Sequence, residues 1–137
     1  MSARTRFPSL GIDIVEIDRV AQLAKNSKRF LTRVFSKDEI RYCHDKKKKW
    51  QHFAVRFAAK EAIWKAVGQA GLNLKDIAIR RGPSGRPSVV LEGRAAPFIQ
   101  VSLTHTEKYA AAVAVYMRHM TLPNAPARKP TKNKKRA

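Results

Sequence analysis

A long helical segment, residues 50 to 67, constrains the fold more than any other part of the chain, because it is mainly apolar on every side. A helix without a wide polar face has to be buried, so the rest of the chain must pack around it. At 100° per residue its aromatic side chains form one stripe, made of Phe53, Phe57 and Trp64. Glu61 lies at the edge of this stripe, and Lys65 lies one turn further on. A buried carboxylate needs a partner, so we expect a bound cation or a basic group near Glu61.

Residues 10 to 17 alternate between apolar and acidic or small side chains, which predicts a strand that leads into a helix. Asp18 is placed to cap that helix. Alternation along the strand puts Asp13 on the opposite side from Ile12 and Ile14. If the two isoleucines enter the core, the Asp13 carboxylate faces a cleft or solvent.

The segments between this strand and the long helix have the patterns of short helices. Residues 29 to 34 predict one, and a capping box of Ser36 and Glu39 begins another over residues 37 to 45. The lysine run at residues 46 to 49 is typical of a solvated loop or helix end. A second interpretation is that these lysines assist phosphate binding.

Strand patterns dominate the second half of the chain. Residues 76 to 80 and 87 to 91 flank a turn with two glycines and a proline, which predicts a hairpin. Residues 100 to 104 and 109 to 117 predict a second strand pair, with Val113, Val115 and Met117 on one face. Helices packed on a small antiparallel sheet give an α+β fold.

The chain is strongly basic: 29 Lys and Arg against 10 Asp and Glu give its 137 residues a formal net charge of +19. Residues 119 to 137 hold six of the basic residues and no acidic one, so residues 1 to 118 still carry +13. Such a charge predicts an acidic partner, which can be nucleic acid, an anionic membrane surface, an acidic protein or a phosphate-rich small molecule.

Residues 1 to 118 predict one folded domain, and the proline-rich, basic residues 119 to 137 predict a disordered tail. No apolar run approaches the roughly 20 residues of a membrane span, and the first residues are too polar and too short for a secretory signal. The single cysteine, Cys43, cannot form an internal disulfide and is more typical of a structural than of a catalytic residue. We therefore expect a cytoplasmic protein.

The residue patterns leave two interpretations open for each candidate site residue. Asp13 can belong to a solvated strand face, or it can form a Mg²⁺ site with Glu61 and water. Glu61 can pair with Lys65 for roughly 0.2 to 0.5 kcal/mol, or Lys65 can hold a phosphate while Glu61 holds the metal. His105, where a strand ends, is by itself typical of a polar surface residue. The sequence contains no zinc-ligand spacing and no phosphate-binding glycine loop.

Three motifs taken together, residues 11 to 19, 56 to 66 and 102 to 106, resemble the holo-[acyl-carrier-protein] synthases of the 4'-phosphopantetheinyl transferase superfamily. The resemblance covers about residues 9 to 117, with the motifs in the family's order and spacing. It implies transfer of 4'-phosphopantetheine from coenzyme A to a serine of an apo acyl carrier protein, with adenosine 3',5'-bisphosphate as the other product. The implied cofactor is Mg²⁺, and the implied pathway is fatty acid biosynthesis.

The resemblance also assigns residues to roles. It implies Asp13 and Glu61 as the metal ligands and, with Lys65, as the catalytic residues; Glu61 or a metal-bound water would accept the serine proton. The positions implied for coenzyme A are Arg56, Lys60, Lys65, Gly85, Arg86, Pro87 and His105. Those implied for carrier-protein docking are Arg19, Leu23, Arg29, Phe30 and Arg33.

The resemblance to this short type of synthase also implies a homotrimer with active sites between subunits. The apolar sheet would then lie at the centre of the assembly. A strongly acidic carrier protein would also account for part of the positive charge. The alternative function is a non-enzymatic, basic nucleic-acid-binding protein. It has the required charge, but the sequence contains no recognised nucleic-acid module and no clear pair of stacking aromatics.

Overall fold

The structure, a computed structural model, describes residues 7–68 and 71–117. The elements in chain order are β1 (Ser9–Glu16), α1 (Ile17–Asn26), α2 (Lys28–Val34), α3 (Lys37–His44), α4 (Lys49–Val67), a 3₁₀ turn (Leu74–Asp76), β2 (Ile77–Arg81), β3 (Pro87–Leu91), β4 (Arg94–Ala95), β5 (Ile99–His105) and β6 (Tyr109–Tyr116). The α+β prediction is confirmed. The predicted tail lies outside the described residues, and the boundary at residue 118 stays a prediction.

Two three-stranded antiparallel sheets follow the predicted strand pairs. One has the order β1-β6-β5 and the other the order β2-β3-β4. β6 lies in the middle of the first sheet and pairs Ala112 with Asp13 of β1. The inner face of β6 is made of small residues, Ala110, Ala112 and Ala114, which are buried. Small side chains on the sheet let α4 pack close to it.

The closest approach between α4 and the first sheet is at Gly11 of β1. A Cβ atom on Gly11 would lie 1.9 Å from the backbone oxygen of Ala62 in α4, which is far inside van der Waals contact. Only glycine fits at this position. The contact fixes which side of β1 faces the helix.

The structure corrects the predicted orientation of β1. Ile12 and Ile14 are 69% and 66% exposed, whereas Asp13 lies on the side that faces α4. Val113 of β6, which pairs with Ile12, is also exposed. Residues of β1 do alternate between two sides. Because α4 lies so close, the inner side holds small residues, and the two isoleucines point outwards.

The helix termini confirm one predicted cap and correct another. Ser36 Oγ accepts the Glu39 N–H at 3.2 Å, and Glu39 Oε1 accepts the Ser36 N–H at 3.0 Å, which is the predicted capping box. Asp18 is not a cap: α1 begins at Ile17, whose N–H donates to the Lys108 carbonyl at 2.9 Å. Asp18 lies in the first turn, where a carboxylate still favours the helix dipole.

α4 ends where the sequence predicts, at Gly68. This glycine has a left-handed φ of 61°, and its N–H donates to the Trp64 carbonyl at 3.0 Å. The predicted aromatic stripe runs from the core to the surface, with Phe53 fully buried and Trp64 43% exposed. Of the helices in the described part of the chain, none combines the length and the apolar character needed to cross a bilayer.

Candidate active site

A cavity of about 460 Å³ opens where β1, α1 and α4 meet. Asp13 from β1 and Glu61 from α4 both line it, as do Arg19 and Leu23 from α1. Strand alternation turns Asp13 towards α4, and helical spacing puts Glu61 one turn before Lys65 on the same helix. The structure therefore brings together the two carboxylates that lie nearly fifty residues apart in sequence.

Lys65 contacts β1 rather than standing free in solvent. Its Nζ donates to Asp13 Oδ1 at 3.2 Å and to the Ile12 carbonyl at 3.0 Å. The side chain is about half exposed, whereas that of Asp13 is only 16% exposed. The ion pair of Lys65 is thus with Asp13, not with its helix neighbour Glu61 as the simpler sequence interpretation proposed.

The second carboxylate oxygen of Asp13, Oδ2, is also buried. Among the described residues it has no hydrogen-bond partner. A buried carboxylate oxygen without a donor costs free energy unless a cation or a donor reaches it. The donor set in the cavity consists of carboxylate oxygens, which suits a hard cation such as Mg²⁺.

The pKa of Glu61 depends on the same cavity. Partial burial raises the pKa of its carboxyl, repulsion from Asp13 raises this pKa further, and the Lys65 charge lowers it. Two carboxylates that repel each other in one cavity become compatible when a cation lies between them. Within the described ranges no cluster of three or more His, Cys, Asp or Glu residues is assembled for a metal, so Asp13 and Glu61 are a two-residue donor set.

A larger, basic cavity of about 810 Å³ lies at the start of α4. Lys47, Lys48 and Lys49 line it together with His105 at the end of β5. The His105 ring is held by the Gln51 amide, whose Nε2 lies 2.7 Å from His105 Nε2. Lys46, Lys47 and Lys48 are exposed in the loop between α3 and α4, as predicted, and this loop also forms a wall of the cavity. Gln51 lines the same cavity and was not predicted as a site residue.

A third cavity, of about 210 Å³, adjoins the second, since Gln51 and His105 line both. It brings Arg56 of α4 and Pro87 of β3 to His105. The Arg56 guanidinium carbon lies 4.4 Å from the centre of the Tyr42 ring. The local field is positive: burial first, and then Arg56 and Lys46, lower the pKa of His52 on the cavity wall.

The predicted turn residues divide between two places. Pro87 lines the small cavity with His105, while Arg86 is an exposed residue on a neighbouring cavity of about 570 Å³ between β3 and β5. Gly85 lies in the exposed turn with a φ of 77°. Their assignment to coenzyme A stays a prediction.

Lys60 is the predicted site residue that the structure contradicts. Its side chain is 0% exposed, and Nζ donates to Glu39 Oε1 at 2.7 Å, to the Leu74 carbonyl at 3.1 Å and to the Ile77 carbonyl. All three protons of the ammonium are therefore used inside the protein. Lys60 therefore has no donor left for coenzyme A, which contradicts the role that the family resemblance implied for it.

The predicted docking residues lie on α1 and α2, next to the cavity that Asp13 and Glu61 line. Arg19, Leu23, Arg29 and Arg33 are exposed, and Phe30 is partly buried with its ring centre 5.8 Å from that of Phe57. Arg19 and Leu23 also line the cavity that contains Glu61. A basic surface with one exposed leucine is thus continuous with the candidate active site.

Comparisons with known proteins agree with this geometry. The model of the 4'-phosphopantetheinyl transferase superfamily matches residues 9–114 of the chain, and this superfamily is the class that the fold and the paired carboxylates define. The chain is 43% identical over 117 residues to the holo-[acyl-carrier-protein] synthase of Koribacter versatilis, covering 77% of this chain and 94% of the relative. It is 38% identical to the Bacillus subtilis synthase, covering 80% and 94%.

Solved structures of such synthases have the same fold. The Bacillus anthracis synthase in complex with CoA (3',5'-ADP) has a TM-score of 0.67 and 28% identity, over 78% of this chain and 93% of that one. The Helicobacter pylori synthase in complex with coenzyme A has a TM-score of 0.65 and 32% identity, over 77% and 96%. The chain therefore belongs to the holo-[acyl-carrier-protein] synthase family. The nucleic-acid-binding alternative finds no support in these comparisons.

Proposed function

We propose that the protein transfers the 4'-phosphopantetheine group of coenzyme A to a serine of an apo acyl carrier protein. The serine oxygen bonds to the β-phosphorus of coenzyme A and gives up its proton, for which Glu61 is a candidate acceptor; the bond from that phosphorus to the bridging oxygen breaks, and adenosine 3',5'-bisphosphate leaves. The observation that carries the proposal is the cavity lined by Asp13 and Glu61, with Lys65 bonded to Asp13, within a chain of this family.

Asp13 and Glu61 are proposed to hold Mg²⁺, with water and phosphate oxygens as the remaining ligands. When bound, the ion supplies charge stabilisation to the diphosphate during phosphoryl transfer. The partnerless Asp13 Oδ2 and the repulsion between the two carboxylates support this assignment. Lys65 of α4 holds Asp13 of β1 in place and presents a positive charge beside the reacting phosphates.

The basic cavities support the binding of coenzyme A. The molecule carries a diphosphate and a further phosphate on its ribose, and Lys47, Lys48 and Lys49 provide matching charge in the cavity of about 810 Å³, where they outnumber the acidic residues Asp18 and Glu107. Arg56, Pro87 and His105 come together in the adjoining one. The acidic carrier protein would dock on the basic surface of α1 and α2, which leads into the Glu61 cavity.

We further propose a homotrimer that assembles through the outer face of the first sheet. Leu10, Ile12 and Ile14 of β1 are each at least 66% exposed, and Val113 of β6 adds to the same apolar face. Large exposed apolar patches commonly mark an interface. We also propose that the protein is cytoplasmic and that it acts in fatty acid biosynthesis.

The direct test is an incubation of the protein with coenzyme A, Mg²⁺ and an apo carrier protein, followed by mass spectrometry of the carrier. We expect the carrier to gain the mass of one phosphopantetheine group, and we expect the gain to stop when the divalent cation is chelated. No gain with several different carriers would reject the proposal.

A further inference from the structure

The Lys60 ammonium joins α4 to three other segments of the chain. Through Glu39 Oε1 it contacts α3, through the Leu74 carbonyl it contacts the 3₁₀ turn, and through the Ile77 carbonyl it contacts the first residue of β2. Successive residues of a helix point about 100° apart. Lys60 therefore fixes one side of α4 while Glu61, the next residue, lines the candidate active site.

Glu39 is itself held by a second set of bonds. The oxygen that accepts from Lys60 also accepts the Ser36 N–H at 3.0 Å, and the Glu39 N–H donates to Ser36 Oγ at 3.2 Å. The capping box thus anchors the carboxylate to the start of α3. An anchored carboxylate gives the ammonium a fixed position rather than a mobile partner.

The contact of α4 with the first sheet is made mostly by small side chains. The buried residues of its central part are mostly alanines, Ala58, Ala59, Ala62 and Ala66. Alanines permit close approach and do little to lock the rotation of the helix, so its rotation depends on the few longer side chains. Besides Lys60 these include Ile63, which is fully buried, and Trp64, whose Nε1–H donates to the Leu72 carbonyl at 2.9 Å. A rotation of about 10° would move a carboxylate on a helix of about 5 Å radius by about 1 Å. A displacement of that size can reduce a reaction rate roughly a hundredfold.

We propose that the Lys60–Glu39 pair is a positioning device for the transfer reaction, which sets the rotation of α4 so that Glu61 and Lys65 both face Asp13. The inference rests on the proposed function, because it requires the Asp13 and Glu61 cavity to be the metal site. A buried ion pair adds little net stability, since the loss of hydration offsets the attraction. The contribution of this pair lies in the geometry that it fixes.

The test uses Lys60→Met, which retains the length of the side chain but removes all three hydrogen bonds, and Lys60→Met/Glu39→Gln, which also removes the buried charge left behind. Two quantities are measured: the affinity for Mn²⁺ by electron paramagnetic resonance, without coenzyme A, and the kcat and KM of transfer. We expect both variants to bind Mn²⁺ roughly tenfold more weakly and to lose at least about tenfold in kcat, with KM for coenzyme A within about twofold of wild type.

Two further variants separate positioning from general stability. Glu39→Gln keeps an oxygen that can accept from Lys60 and Ser36, so we expect this variant to retain most of the wild-type affinity for Mn²⁺. Ile99→Ala removes buried volume at the opposite end of β5 from His105 and serves as a control for lowered thermal stability. We expect it to lower the melting temperature while leaving Mn²⁺ affinity unchanged.

The outcomes are distinct. Wild-type Mn²⁺ affinity and kcat in a folded Lys60→Met protein would show that the pair is only structural, and this would overturn the inference. A rise in KM for coenzyme A alone would overturn it as well, because Lys60 would then act on the substrate. A wild-type protein that neither binds Mn²⁺ nor transfers the group would reject the proposed function itself.

Discussion

Two charged clusters on different faces of α4, about 100° apart around the helix, meet very different environments. Lys60 is fully buried, and each of its ammonium protons has an acceptor. Asp13 and Glu61 instead line an open cavity, where Asp13 Oδ2 has no partner and the pKa of Glu61 is raised, chiefly by burial and then by repulsion from Asp13. Adjacent residues of one helix, Lys60 and Glu61, thus have opposite roles. Among the described residues Glu39 Oε2 and Asp13 Oδ2 are both buried without a hydrogen-bond partner, so the difference between the clusters lies in their charge balance. Glu39 is paired with the buried Lys60 ammonium, whereas Asp13 and Glu61 are two like charges in one cavity, which favours a cation there.

We expect the largest effect on activity when Asp13 or Glu61 loses its carboxylate. Asp13→Ala or Glu61→Ala should lower phosphopantetheine transfer by at least about a hundredfold, because each change removes a proposed metal ligand. Mass spectrometry of the carrier protein measures the rate. Asp45→Ala, at an exposed acidic residue after α3, is the matched control and should retain wild-type activity. Full activity of either cavity variant would remove the basis for the metal site.

The contact between β1 and α4 can be broken without touching a charge. Gly11→Ala should destabilise the fold by about 3 kcal/mol, because its new methyl group would overlap the Ala62 carbonyl oxygen. Urea unfolding followed by circular dichroism measures this change. Gly82→Ala is the matched control, since the nearest atom there would lie at 3.6 Å. Equal stabilities of the two variants would mean that β1 and α4 are not packed this closely.

Removing charge from the basic cavity should change substrate binding more than the chemical step. Lys47→Gln/Lys48→Gln should raise KM for coenzyme A roughly tenfold with little change in kcat, because charge-assisted bonds to phosphate are lost. Lys75→Gln, at an exposed lysine in the 3₁₀ turn, should leave KM unchanged. A fall in kcat with constant KM would place these lysines in the reaction rather than in binding.

The smallest effect concerns Cys43, which is buried on the core side of α3. Burial raises the pKa of its thiol from 9.0 to about 11, so at pH 8 the folded protein has roughly a hundredfold less thiolate than an unfolded chain. Alkylation by iodoacetamide should therefore be slow until urea unfolds the protein. The unfolded thiol ionises first, so stability should decline as the pH rises from about 9 towards 11. Rapid alkylation of the native protein would contradict this burial.

Local patterns in the sequence predicted the elements well because their causes are local. The capping box at Ser36, the hairpin before Pro87 and the end of α4 at Gly68 each depend on a few neighbouring residues. The pairing of Asp13 with Glu61 was one of two interpretations that the residues left open, and the family resemblance favoured it, since nearly fifty residues separate them. Their shared cavity follows from the way β1 packs on α4, which is a tertiary contact.

The errors have one physical origin, which is that neither a residue pattern nor a family resemblance shows which face of an element is buried. The interpretation of Asp13 depended on Ile12 and Ile14 entering the core, and both are exposed, while Lys60, which the resemblance assigned to coenzyme A, is buried. Gly11 was the residue that could have corrected the first error. A glycine in a strand often marks a close backbone approach, and here it marks the side of β1 that faces α4.

The most direct test of the Asp13 and Glu61 assignment is an anomalous difference map from crystals grown with Mn²⁺ and coenzyme A. We predict a peak within coordination distance of one carboxylate oxygen each from Asp13 and Glu61, with the diphosphate on its other side. A Mn²⁺ peak that lacks either carboxylate as a ligand, in crystals where coenzyme A is bound, would contradict the assignment.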